Sequence, residues 1–93
     1  MSSKSERRAA LETVTAYHEA RLAELVQRLG EAIDRFRAGE VDAFDTDQVI
    51  FQYSRAAKEL WKFCNLRDVE FTAHMIGDRA PADWWERAEP RRR

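Results

Sequence analysis

A metal site in this sequence would draw on His18, Glu19, Cys64, Glu70 and His74. Glu70 and His74 stand at i and i+4, whereas a di-iron bundle needs Glu and His at i and i+3, twice over, with further glutamates from facing helices. No Cys-x-x-Cys or His-x-x-x-His pair exists either, so no metal and no cofactor is expected. There is no glycine-rich phosphate loop, and no serine, histidine and aspartate that geometry would force together. What remains is Arg67 and His74, seven apart and therefore on one face of any helix that holds both, in a stripe that is otherwise apolar.

The run Arg67-Asp68-Val69-Glu70-Phe71-Thr72-Ala73-His74 resembles the motif of the HEPN ribonucleases, an arginine followed by a polar residue with a histidine further along the same helix. The resemblance covers eight residues. It implies an all-α bundle that dimerises so that paired arginines and histidines meet at a cleft and cleave RNA without a metal. By that logic Arg67 would hold the scissile phosphate and His74 would transfer a proton or stabilise charge. The plainer reading lays the Arg67 stem over the stripe, pairs its head with a nearby acid, and leaves His74 partly exposed near a helix end.

The elements that would position these residues are helical. Gly 3, Pro 2, 44% hydrophobic and 35% charged residues in 93 suit a single all-α domain better than a turn-rich β fold. A first helix is expected over 5–38, capped by Ser5, with Leu11, Val14, His18, Leu22, Leu25, Leu29, Ala32 and Phe36 recurring at spacings of three and four. Gly39 reads as its C-terminal cap. The short acidic segment that follows should join antiparallel neighbours, so the architecture expected is an antiparallel hairpin of two long helices. Its layout of helix, Gly-Glu turn and helix also resembles the small subunit of bacterial exonuclease VII, by shape alone.

The second helix is expected over 46–76, capped by Asp45 or Thr46 and closed by Gly77. Its stripe reads Ile50, Tyr53, Ala57, Leu60, Cys64, Arg67, Phe71 and His74. Val49, Phe51, Trp61, Phe63, Leu66, Val69 and Ile76 lie on other faces, so this helix carries more apolar surface than one partner helix covers. A two-fold dimer closing into a four-helix bundle is the simplest way to cover it. The tail, 78–93, has a short helix expected at 83–88 and ends in three arginines, Arg91–Arg93, expected to be mobile.

These features favour a non-enzymatic interaction module, such as an antitoxin, adaptor or small regulatory subunit, pairing with itself or a larger protein. Phe51, Trp61, Trp84 and Trp85 are its candidate partner-binding residues. At least one of the two adjacent tryptophans should fold back on the hairpin, because two indoles in water would make a sticky patch. Nucleic-acid binding has only the basic termini and these tryptophans behind it, since sixteen Lys and Arg are balanced by seventeen Asp and Glu. The lone Cys64, the absence of a signal-like N-terminus and the lack of about 18 uninterrupted apolar residues point to a cytoplasmic protein that does not span a membrane.

Overall fold

The computed structural model describes residues 3–81 and 83–90; the terminal arginines, Arg91–Arg93, lie outside them. Four helices follow in order: α1 (Lys4–Arg37), α2 (Ala43–Asn65), α3 (Val69–Arg79) and α4 (Trp84–Arg87). No strand occurs among the described residues. The all-α class expected from composition is what the chain adopts.

Each boundary has a local cause. Ser3, not Ser5, caps α1: its hydroxyl accepts the Glu6 N–H at 3.1 Å, using the Ser-x-x-Glu spacing of a capping box. At the other end Gly39 takes φ +76, a left-handed conformation. There the Glu40 N–H reaches the Arg35 carbonyl and the Gly39 N–H the Phe36 carbonyl, both at 3.0 Å, the two bonds of a Schellman cap. Between these ends α1 runs through Gly30 unbroken, and a Cβ added there would meet nothing within 4 Å. Asp42 caps α2, accepting the Asp45 N–H at 2.8 Å, so the helix starts ahead of the expected Asp45 or Thr46.

The second helix is not continuous over 46–76. It stops at Asn65, and a new helix starts at Val69 because Asp68 turns its carboxylate onto the Phe71 N–H at 3.1 Å. An Asp that spends its side chain on a backbone donor of the next turn favours a helix start over a helix interior. α3 then passes Gly77 and ends at Arg79, where Ala80 is held extended (φ -59, ψ 135) by the following Pro81. Asp83 caps the single turn of α4 through the Glu86 N–H at 2.9 Å.

α1 and α2 pack antiparallel, and Tyr17 against Phe63, with ring centroids 5.8 Å apart, fixes their register. Midway between those two positions is Glu40, at the turn. α1 is the longer helix, and α3 packs beside its N-terminal part, burying Thr72. The core is one cluster: Val14 and Leu25 from α1, Ala56, Leu60 and Cys64 from α2, and Trp84 and Ala88 from the tail. The result is elongated, 56 × 30 × 18 Å with a radius of gyration of 16.2 Å, where a compact globule of this length would have about 12 Å.

Candidate functional site

The hairpin has two broad faces, and the described residues of the tail cover one of them. On the covered face the Tyr17 hydroxyl donates to the Pro81 carbonyl at 2.9 Å and accepts from Trp84 Nε1 at 2.8 Å. Gln52 Nε2 donates to the Trp85 carbonyl at 3.0 Å, and Arg55 Nε to the Ala88 carbonyl at 2.9 Å. Phe63 meets Trp84 with the rings tilted by 55° and centroids 5.4 Å apart, while the Arg28 guanidinium lies 5.9 Å over Trp85. Polar side chains of both long helices thus grip the tail backbone, and aromatic rings fill the space beneath it.

The opposite face has no such cover among the described residues. Leu22, Val26, Leu29 and Ile33 recur at spacings of four, three and four. At 100° per residue they point about 140° away from the line of Tyr17 and Arg28. On α2 the corresponding side carries Ile50, Tyr53, Ala57 and Trp61. Leu22, Tyr53 and Ala57 lean on the core, whereas Val26 is 51% exposed and Trp61 52%. This spacing makes a helix-packing seam in each strand of the hairpin, and among the described residues nothing fills it.

The four residues singled out for partner binding do not form one surface. Trp61 sits at the edge of the open face. Phe51, 55% exposed, is about 80° further round α2 and points outward with Phe44, seven residues earlier. Trp84 is only 5% exposed and belongs to the core on the covered side, where it holds the tail. Trp85, beside it, is half-buried under Arg28.

Arg67 and His74 do not share a helix. Arg67 lies in the connection between α2 and α3, exposed, and His74 lies on α3 about 200° from the buried Thr72, facing solvent. The shared helical face on which the ribonuclease resemblance depends is therefore not formed. Among the described residues no three His, Cys, Asp or Glu side chains gather as metal ligands would. Burial pushes the Cys64 thiol up from 9.0 to about 11, which suits an inert core residue. Burial also raises the Tyr17 phenol, an effect the Trp84 hydrogen bond partly offsets.

Sequence periodicity reaches part of the open face but does not group its residues. Leu22, Leu29, Ile50, Tyr53 and Ala57 belong to the expected buried stripes, whereas Val26 and Ile33 lie off them. The missed signal is the heptad-like order Leu22, Val26, Leu29, Ile33, Phe36. It shares Leu22, Leu29 and Phe36 with the stripe facing α2 and adds Val26 and Ile33 on the open side.

No helix among the described residues is long and apolar enough to cross a membrane. In comparison with known proteins, the chain matches no family model, no curated protein and no solved structure.

Proposed function

We propose that this protein is a non-enzymatic interaction module that pairs with a second copy of itself through the face opposite the tail, giving a four-helix bundle. The observation that carries the reading is that uncovered two-helix seam, Leu22, Val26, Leu29 and Ile33 beside Ile50, Tyr53, Ala57 and Trp61. Surface area supports it. The chain exposes 7268 Å², whereas a compact protein of 10.9 kDa exposes about 5,600 Å². The excess, about 1,700 Å² by that scaling, exceeds the roughly 800 Å² that each partner buries in an ordinary interface.

A second copy is the simplest occupant because two identical seams bring helix pairs of equal length and apolar spacing together, as in antiparallel and two-fold bundles. A paired form acting as adaptor or regulatory subunit in a reducing, cytoplasmic setting is consistent with the single buried thiol. Sedimentation equilibrium of the wild type and Val26→Glu tests the reading. The wild type should be dimeric at micromolar concentration and the variant monomeric with unchanged helix content, since Val26 lies outside the monomer's core. A wild type that stays monomeric at that concentration would overturn the pairing, and one that gains mass only with a different protein would reassign the face to that partner.

A further inference from the structure

A different concavity lies where α2, α3 and α4 meet. Lys62 on α2, Arg67 in the connection, Arg79 at the end of α3 and Arg87 on α4 line one groove of about 560 Å³, and Glu59 is the one carboxylate on its wall. Four segments each contribute one cation. For a chain with a formal net charge of -1, this is a local concentration made by the fold and not by composition. Like charges gathered this way repel, and of the four only Arg87 packs on Trp84.

Neutralisation within the groove is slight. Lys62 Nζ is 3.4 Å from Glu59, and Arg79 Nε is 3.9 Å from Asp78, both in solvent where such pairs contribute little. The carboxylate next in sequence to Arg67, Asp68, is engaged by the Phe71 N–H. Arg87 is held with its guanidinium 4.9 Å over the Trp84 ring, which preorganises one planar donor. Beneath the cations the lining is apolar, with Phe63, Met75 and Pro81. A low-dielectric floor under charges of one sign focuses their field outward.

We propose that this groove binds a nucleoside polyphosphate group, with the phosphates on Lys62, Arg67 and Arg79 and the base against the apolar floor beside Arg87. Guanidinium forks suit phosphate oxygens, guanidinium planes and apolar walls suit a base, and the groove is of small-ligand size. His74 is not on its wall, so the proposal concerns binding and implies no cleavage. A free nucleotide and the 5′-triphosphate end of an RNA strand carry the same chemistry.

Calorimetric titration of the full chain with ATP, with inorganic triphosphate and with a 5′-triphosphorylated five-residue RNA tests it. ATP or the RNA should bind more tightly than inorganic triphosphate, and the tighter of the two identifies the source. Arg67→Ala and Arg79→Ala should each raise Kd by about ten-fold. Arg37→Ala, at the far end of α1, should leave it unchanged, and added salt should weaken binding. Both groove arginines are exposed, so unchanged circular dichroism separates lost binding from lost fold. Absence of binding at millimolar ligand, or equal losses in all three variants, would overturn the proposal. Inorganic triphosphate binding as tightly as ATP would overturn the role given to the floor.

Discussion

Trp84 and Tyr17, 67 residues apart, share a hydrogen bond in which the indole Nε1–H donates to the phenol oxygen at 2.8 Å, while the phenol donates onward to the Pro81 carbonyl at 2.9 Å. Tyr17 thus ties α1 to the tail. In Tyr17→Phe the ring still reaches Phe63, but a buried indole N–H and a backbone carbonyl both lose their partner. An orphaned buried polar group costs about 1 to 3 kcal/mol. Urea denaturation should show a loss of that size, and a Tyr17→Phe, Trp84→Phe double variant should lose less than the sum of the singles. Additive losses would show that the bond does not couple the tail to α1.

The break between α2 and α3 rests on one carboxylate. Asp68→Ala removes the acceptor for the Phe71 N–H and should cost about 1 kcal/mol, as for other helix caps. Asp68→Asn keeps an acceptor and should recover most of it. If Asp68→Ala raises helix content without loss of stability, the two helices have fused, and the cap is what kept them apart.

That break also shows what the sequence could reveal. The spacing Leu60, Cys64, Arg67, Phe71, His74 continues at three and four through residues 66–68, so periodicity alone extends one helix across it. The side chains say otherwise. Leu60 and Cys64 are buried, Phe71 and His74 are exposed, and on α3 the face turned inward is Thr72 with Val69 and Ile76. The apolar spacing downstream of Cys64 was coincidental, and the physical signal was a capping Asp with Glu70 in the following turn, easily taken for ordinary helix-surface charge. Gly39 and the long stripe of α1 were legible because a left-handed cap and a sustained period have few alternatives. The basic groove was not, because its four cations come from separate segments and only tertiary packing brings them together.

Thr72 is 1% exposed and, among the described residues, its hydroxyl has no hydrogen-bond partner. Valine has nearly the same shape without the polar atom. Thr72→Val should therefore leave the packing of α3 on α1 intact and raise stability by about 1 kcal/mol. Thermal denaturation of the two proteins side by side decides it; a destabilised variant would mean that the hydroxyl is satisfied in solution.

A dimer through the open face makes stability depend on concentration, because association draws on the folded state alone. The melting temperature of the wild type should rise steadily over a hundred-fold increase in protein concentration, whereas Val26→Glu should melt at one temperature throughout. Phe51→Glu is the informative companion. Phe51 points outward about 80° from Trp61, so its charge should leave the concentration dependence in place. Loss of that dependence in Phe51→Glu but not in Val26→Glu would move the interface to the outer edge of α2.

Burial of Cys64 bears on stability at high pH. In the native state burial holds its thiol up at about 11, against about 8.5 for an unfolded cysteine. The native form therefore keeps its proton at a pH where the unfolded form has lost it. The unfolded state is then favoured progressively as pH rises from the unfolded value to the native one, and stability falls across that window. Tyr17, also raised by burial, contributes with the same sign at the upper end, above about 10. Denaturation midpoints should be flat near neutrality, decline between about pH 9 and 11, and decline less steeply in Cys64→Ala, which keeps only the tyrosine contribution. Alkylation provides a second readout. At pH 8 the native thiol should react with iodoacetamide far more slowly than the urea-unfolded chain, and equal rates would place Cys64 outside the core.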